Sequence, residues 1–305
     1  MRKTSVYLTD ELKEALAEAA GRSGRSEADF IRGAIELAVQ QTNAGSAAPV
    51  VEPPRRQGPL LVGVGVGAGA SDLLTPRART VIAEADTVVA AAISPDAIGR
   101  AEAVARAGSD PLRVVRLEID VSGNEAERSA SFDAAATTLV AHLDRREVVA
   151  FLTIGDPSLF SVFPRLADAV RAQRPETPVQ VVPGIAAFQE LAAASGTVIG
   201  HDHQSIRIVN VSQDPSEIDG LVEDTLGRAD ETLVLYRGGR GVPGIAAKLA
   251  DHRRLEPAVV GELLGQPGAR VSPASEFVDG SASYLACLIA PAAPAGSRRT
   301  QEPAS

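Results

Sequence analysis

The segment 148–163, VVAFLTIGDPSLFSVF, is the stretch that decides the fold of this chain. It begins with five consecutive apolar residues, a run typical of a strand buried on both faces of a parallel sheet. The turn Gly155-Asp156-Pro157 follows at the end of this predicted strand. In open α/β sheets ligands bind at the carboxyl ends of strands, glycine lets the backbone approach a ligand, and proline rigidifies a turn. We therefore expect this turn to form part of a binding site.

The same alternation of apolar runs and helical stretches extends over residues 59–291, which indicates an α/β fold. Strands are predicted at 60–66, 87–91, 112–117, 148–153 and 178–182. Helices are predicted between them at 75–85, 95–107 and 126–145, then from Phe160, and at 186–194. Beyond residue 200 the pattern restarts, with strands at 205–211, 232–237, 257–262 and 283–290. We expect two α/β subdomains, 59–200 and 201–291, with a cleft between them.

Residues 1–41 have a separate pattern of one strand and two helices. Apolar and polar side chains alternate over residues 3–8, Thr9 suits the N-cap of a first helix, and Ser26 suits the start of a second. One short strand and two helices bury too little surface to fold alone, so we expect two copies to pair their strands. Residues 42–58 are predicted to be a linker, and the tail 292–305 is predicted to be disordered.

This N-terminal pattern resembles a ribbon-helix-helix domain over residues 2–40. The resemblance implies a dimer whose paired strands enter the DNA major groove, with bases facing Lys3, Ser5 and Tyr7, and with phosphate near Arg25 and Ser26. Residues 1–41 carry six basic and seven acidic side chains, a net charge of −1, so nonspecific attraction to phosphate is weak. A segment that only dimerises the chain is the alternative reading.

The bulk composition excludes several classes of protein. A net charge of −9 over 305 residues argues against a generic nucleic-acid coat, and the single cysteine, Cys287, fits a reducing cytoplasm. The N-terminus lacks the apolar core of a signal peptide, and no membrane span is expected. His201-Asp202-His203 lies in a polar stretch, where histidines are usually solvated, so we expect no metal site.

The glycine loop 65–70 admits two interpretations. Gly65-x-Gly67-x-x-Ala70 matches the fingerprint of dinucleotide-binding folds. That interpretation also requires an acidic residue at the end of the second strand to hold the ribose. The strand 87–91 ends in Ala-Ala-Ile-Ser instead, so the nicotinamide interpretation lacks its confirming residue.

The order of four motifs is more specific than the loop alone. LVGVGVGAGASDLLTPRA, TIGDPSLFSVF, VVPGIAAF and TLVLYRGG follow one another across residues 59–291. Their order resembles the tetrapyrrole methylases, enzymes that use S-adenosylmethionine, and GDPSLFSVF and PGIAAF most resemble the precorrin-2 C-20 methyltransferases. The resemblance implies two α/β domains, usually in a homodimer, with the methyl donor in the cleft between them.

Carried over position by position, the resemblance assigns donor contacts to eleven residues: Gly65, Gly67, Ala68, Ile154, Gly155, Asp156, Leu159, Ala186, Ala187, Arg237 and Gly265. Asp156 has an alternative role as the cap of the helix that follows it. Arginines near these motifs, Arg79 and Arg237 among them, suit the carboxylates of a substrate or belong to solvated surface.

The first loop departs from the family pattern G-x-G-P-G-D-P. Ala68 stands where the family has its first proline, Ala70 where it has aspartate, and Ser71 where it has the second proline. Asp72 lies two positions further on, where it suits the start of the next helix better than it suits the role of the missing loop aspartate.

From the order of the four motifs, the leading hypothesis is methylation of precorrin-2 at C-20, giving precorrin-3A, in cobalamin biosynthesis. The rivals are a DNA-binding regulator with a methylase-like sensor domain, and a methyltransferase with another acceptor.

Overall fold

The computed structural model describes residues 58–94, 96–108, 111–121, 123–211, 219–236, 242–278, 282–283 and 285–293, and in the N-terminal part residues 9, 13, 16–18, 20, 21, 26–28 and 31. The chain divides into two compact units, Met1–Glu52 and Pro53–Ser305. Across the described ranges, no helix combines the length and the apolar character needed to cross a bilayer.

In the N-terminal unit, the described residues agree with two predicted helix starts. Thr9 is not helical, and its carbonyl oxygen accepts a hydrogen bond from the backbone N–H of Lys13 at 3.0 Å, as the carbonyl of an N-cap residue does. Ser26 is exposed and non-helical, and the next two residues are helical. The predicted DNA contacts Lys3, Ser5, Tyr7 and Arg25 lie outside the described residues.

In the larger unit, residues 60–182 form a five-stranded parallel sheet in the order β3-β2-β4-β1-β5. The strands are β1 Leu60–Gly65, β2 Thr87–Ala92, β3 Val115–Glu118, β4 Val148–Thr153 and β5 Val179–Val182. The helices that connect and follow them are α1 Pro76–Glu84, α2 Arg100–Gly108, α3 Glu125–Asp144, α4 Phe163–Gln173 and α5 Ala187–Ser195. Every residue of β1 and β4 is buried, as their apolar runs predict.

Alternate residues of the central strands face two separate cores. Val62 and Val64 of β1 pack with α1 and α2 on one face, whereas Leu61 packs with α3 and α4 on the other. The helix after β1 and the helix after β4 therefore cover opposite faces of the sheet. Since β1 and β4 are neighbours, the chain leaves this pair of strands in opposite directions, the arrangement that opens a crevice at the carboxyl edge of an α/β sheet.

A second, mixed sheet follows in the order β6-β7-β10-β8-β9, in which only β6 and β7 are parallel. Its strands are β6 Ser205–Asn210, β7 Glu231–Tyr236, β8 Val259–Glu262, β9 Arg270–Pro273 and β10 Cys287–Ala290. Helix α5 packs against one face of this sheet, and α6 Asp219–Leu226 and α7 Val242–Asp251 pack against the other.

The α/β class is confirmed, and several predicted bounds need correction. The second helix begins at Arg100 rather than at 95, the third strand at Val115 rather than at 112, the helix predicted from Phe160 at Phe163, and the last strand at Cys287 rather than at 283. Strand β9 was not predicted, because Arg270–Pro273 has one buried residue and no apolar alternation. Such a sequence reads as a loop until a neighbouring strand, here β8, pairs with it at the sheet edge.

Candidate functional site

The site is built around the turns that follow β1, β4 and β5. Just beyond the paired ends of β1 and β4, Val66 donates its N–H to the carbonyl oxygen of Thr153 at 2.9 Å. Further on, the Gly155 N–H donates to the carbonyl oxygen of Gly67 at 2.8 Å. These two hydrogen bonds fix the first glycine loop against the Gly-Asp-Pro turn.

Three glycines allow these turns to lie in backbone contact. A Cβ added at Gly65 would lie 2.6 Å from the carbonyl oxygen of Gly155 and 2.6 Å from the nitrogen of Gly184. A Cβ added at Gly184 would lie 2.1 Å from that same Gly155 oxygen. Gly155 itself has φ +71°, and nothing lies within 4 Å of the position of its missing Cβ. The Cα of Gly155 therefore faces open space on the side of its missing side chain, as the approach of a ligand requires.

Asp156 joins two of the turns through its carboxylate. One oxygen, Oδ2, accepts the backbone N–H of Gly184 at 3.0 Å, and Oδ1 accepts the N–H of Ser158 at 2.7 Å. The helix that follows begins only at Phe163, so the alternative role of Asp156 as a helix cap is wrong. Its described hydrogen bonds link the turn after β4 to the turn after β5.

Seven of the predicted donor-binding residues line one cleft: Ala68, Ile154, Gly155, Asp156, Leu159, Ala186 and Ala187. The remainder of its wall, which the sequence did not indicate, comes from both sheets: Arg100, Phe160, Tyr236, Leu263, Leu264, Gln266 and Leu285. The wall of the cleft is mostly apolar, as is usual for small-molecule sites.

Three of the other four predicted residues do not line the cleft itself. Gly65 and Gly67 contact the turns that form the cleft wall, through the packing and the hydrogen bond described above. Gly265 packs against the first loop, since its added Cβ would lie 2.2 Å from the nitrogen of Ala70. Arg237 lies outside the described residues.

Tyr236, at the end of β7, lies on the side of the cleft that the second sheet contributes. Its hydroxyl accepts the Phe188 N–H at 3.3 Å, and its ring meets the edge of Phe160 at 5.5 Å between centroids. Burial raises the pKa of Tyr236, so the phenol stays protonated at neutral pH. Phe160 has φ +51°, an uncommon backbone conformation for an aromatic residue, and it remains partly exposed at the cleft.

The first loop provides no carboxylate at its altered positions. Ala68 is buried and lines the cleft, and Ala70 precedes a short 3₁₀ turn, Ser71–Leu73, without a side-chain cap. Asp72 lies in that turn, not at the start of α1, whose N-cap is Thr75. The prediction that Asp72 enters the next helix is therefore wrong.

Residues 60–276 match the family model "Tetrapyrrole (Corrin/Porphyrin) Methylases". The chain belongs to the tetrapyrrole methylase family. Residues 2–42 match a second model, "Ribbon-helix-helix protein, copG family". Both resemblances drawn from the sequence are confirmed at the level of the family.

Relatives of this chain come from more than one branch of the family. A precorrin-2 C(20)-methyltransferase from Sinorhizobium sp is 28% identical over 240 residues, which cover 76% of this chain and 94% of the relative. A precorrin-4 C(11)-methyltransferase from Rhodococcus erythropolis is 30% identical over 218 residues, which cover 67% of this chain and 77% of the relative. The identity of this chain to the two branches is similar and does not favour one of them.

The solved structures show the same fold. Uroporphyrin-III C-methyltransferase from Thermus thermophilus, complexed with S-adenosylhomocysteine, aligns with a TM-score of 0.52 at 23% identity, over 76% of this chain and 92% of that chain. Tetrapyrrole methylases use S-adenosylmethionine, and that structure contains the product formed when the methyl group leaves.

Proposed function

We propose that the cleft binds S-adenosylmethionine and that the chain transfers its methyl group to a tetrapyrrole, with C-20 of precorrin-2 as the acceptor. The supporting observation is that Ala68, Ile154–Asp156, Leu159 and Ala186–Ala187, separate in sequence, line a single cleft at the carboxyl edge of the first sheet. The likeness of the GDPSLFSVF and PGIAAF segments to precorrin-2 methyltransferases supports the finer assignment.

The residues of the cleft fit this donor. The open backbone at Gly155 and the small side chains of Ala68, Ala186 and Ala187 leave room for a ligand. Phe160 and Tyr236 present aromatic rings to the same space, and aromatic rings attract ligand cations such as a sulfonium.

The bound donor supplies a methyl group on a positively charged sulfur. Transfer breaks the carbon–sulfur bond and forms a bond to a nucleophilic carbon of the acceptor, which afterwards loses its proton. The protein residues have to align the two molecules and exclude water. The apolar wall serves both tasks, and no protein nucleophile is needed.

The donor site can be tested by placing a bulky side chain on the cleft wall. Ala187→Phe places a large ring at the cleft, whereas Ala194→Phe makes the same change at an exposed position on α5. We expect calorimetry to show S-adenosylhomocysteine binding to wild type and to Ala194→Phe, and a loss of at least about tenfold in Ala187→Phe. Absence of binding by the wild-type protein, or equal binding by both variants, would contradict the proposal.

The acceptor is tested by turnover. Wild-type protein incubated with precorrin-2, generated enzymatically, and S-adenosylmethionine carrying a labelled methyl group should yield a product heavier by one labelled methyl. Fragmentation or NMR places that methyl at C-20. Transfer to precorrin-4 but not to precorrin-2 would support the proposed methyltransferase activity and refute precorrin-2 as the acceptor.

A second function is favoured by two observations: the ribbon-helix-helix match at residues 2–42 and the absence of the loop carboxylate at Ala70. In this alternative the chain is a DNA-binding homodimer, located in the cytoplasm, whose cleft senses a ligand without transferring methyl. Methyl transfer by the Ala70→Asp variant but not by the wild-type protein would favour the alternative in which the cleft only senses a ligand. Loss of promoter occupancy on replacement of Lys3 and Tyr7 by alanine would establish the DNA contact.

A further inference from the structure

Arg100 occupies a distinctive place on the cleft wall. It is the first residue of α2 and is exposed, and it is reached from the end of β2 by the loop 93–99. Because β2 pairs with β4, this loop leaves the same sheet edge as the Gly-Asp-Pro turn. Arg100 thus brings a positive charge to the site from a strand that the donor motifs do not include.

The guanidinium of Arg100 has no hydrogen-bond or ion-pair partner within the part of the chain that the structure describes. The other charged side chain on the cleft wall, Asp156, already accepts two backbone N–H groups. Neighbouring arginines are engaged elsewhere. Arg106 and Arg116 bind the buried carboxylate of Glu102, and Arg79 donates to the carbonyl oxygens of Ser71 and Gly108.

Helix stability does not account for an arginine at this position. A cation in the first turn of a helix opposes the helix dipole and costs a few tenths of a kcal/mol or more, whereas an acidic residue there is favourable. Glu102, in the same turn, is the favourable case, and its charge is satisfied by two other arginines. A cation that is exposed, unpaired and turned toward the cleft suits an anionic ligand.

We propose that Arg100 holds a carboxylate of the tetrapyrrole acceptor at the cleft, an inference that rests on the proposed function. Tetrapyrrole precursors carry acetate and propionate side chains around an apolar ring, and arginine pairs with carboxylates through two parallel hydrogen bonds. The loop that leads to Arg100 also exposes Ile93 by 96% and Ile98 by 58%. These two side chains add exposed apolar surface to the segment that carries the charge. Arg100 is thus a positioning residue for the acceptor, distinct from the donor contacts.

The experiment compares wild type with Arg100→Gln, Arg100→Lys and a control, Arg171→Gln, at an exposed arginine on α4. Uroporphyrin III is the acceptor probe, titrated by fluorescence, and S-adenosylhomocysteine is titrated by calorimetry on the same samples. We expect Arg100→Gln to weaken uroporphyrin III binding by about 10- to 100-fold, the loss of one charge-assisted pair. Arg100→Lys recovers part of that affinity, and Arg171→Gln changes neither ligand.

The two proposals fail in different ways. If wild type does not bind S-adenosylhomocysteine, the proposed function fails. If S-adenosylhomocysteine binds but uroporphyrin III binds equally to wild type and Arg100→Gln, or does not bind wild type, the role of Arg100 is refuted. If Arg100→Gln weakens both ligands equally, Arg100 supports the cleft as a whole, and the assignment to the acceptor is wrong.

Discussion

Replacement of Gly184 by alanine tests the close packing of turns on which the cleft depends. The new Cβ would lie 2.1 Å from the carbonyl oxygen of Gly155 and 2.8 Å from the Cα of Gly65, where real Cβ contacts essentially never fall below 3.0 Å. Both neighbours are backbone atoms, so neither can rotate away. The Gly184 N–H is also bound to Asp156 at 3.0 Å, so the turn cannot withdraw without weakening that hydrogen bond.

The size of the effect follows from these distances. The Gly155 oxygen has to move by about 0.9 Å to restore a separation of 3.0 Å. Overpacking of this kind costs roughly 1–3 kcal/mol in the free energy of unfolding. The Gly155 N–H donates a hydrogen bond to the carbonyl oxygen of Gly67, so the first glycine loop shifts together with the Gly-Asp-Pro turn. Since a misplacement of about 1 Å can reduce activity by roughly 100-fold, we expect donor affinity to fall by about 10- to 100-fold.

The assay is urea unfolding followed by circular dichroism, together with calorimetry of S-adenosylhomocysteine. Gly220→Ala is the matched control, since Gly220 lies in α6 and nothing approaches within 4 Å of its Cβ position. Alanine is the better helix former, so the control should gain up to about 1 kcal/mol. The reasoning is refuted if Gly184→Ala unfolds within about 0.5 kcal/mol of wild type and binds the donor analogue within about twofold.

Three further predictions concern residues that support the fold or the cleft. Asp156→Asn should lower stability by about 1–2 kcal/mol, because one backbone N–H loses its acceptor oxygen and the other keeps only a neutral amide oxygen; weaker donor binding by calorimetry, without this loss in urea unfolding, would make Asp156 a direct donor contact. Burial would raise the pKa of Glu147, but hydrogen bonds from Thr87, His142 and Arg145 outweigh it and lower that pKa to about 2. The stabilisation is therefore complete above about pH 4.5 and is lost as the pH falls toward 2, so Glu147→Gln should flatten the melting temperature measured across that interval. Arg254→Met should cost roughly 3 kcal/mol in urea unfolding, because the buried guanidinium donates to the carbonyl oxygens of Glu231, Ala290 and Pro291; an unchanged midpoint would contradict this.

The first sheet and half of the cleft were predictable because the relevant residues follow strand ends. Apolar runs such as 148–152 are long enough to identify buried strands, and the carboxyl ends of parallel strands meet at one edge. The place of Gly155 and Asp156 at a strand end predicted a binding edge, and the family resemblance assigned Ala186 to the same site. The exact starts of helices were less predictable, since Pro95 and Gly99 precede α2 without a polar cap.

The other half of the cleft depends on how the second sheet packs against the first. Leu263, Leu264 and Leu285 are apolar residues near strand ends, and their sequence does not distinguish them from core residues of the second sheet. Tyr236 and Phe160 meet only in the folded chain, being 76 positions apart in sequence. Arg100 was missed because the helix was predicted to begin at residue 95, which placed the arginine inside it rather than at its exposed first turn.

The backbone path of the first loop does not depend on the proline and aspartate that this chain lacks. The carbonyl oxygen of Gly67 accepts a hydrogen bond from the Gly155 N–H. Gly69 and Gly265 pack the loop against the β8–β9 turn so closely that neither position has room for a Cβ. A Cβ at Gly69 would lie 2.0 Å from the carbonyl oxygen of Leu264. Glycine contacts thus keep the wall of the cleft in place while Ala70 removes a carboxylate beside it. Donor binding and methyl transfer can therefore be lost separately in this fold, which is why Ala70→Asp distinguishes an enzyme from a sensor.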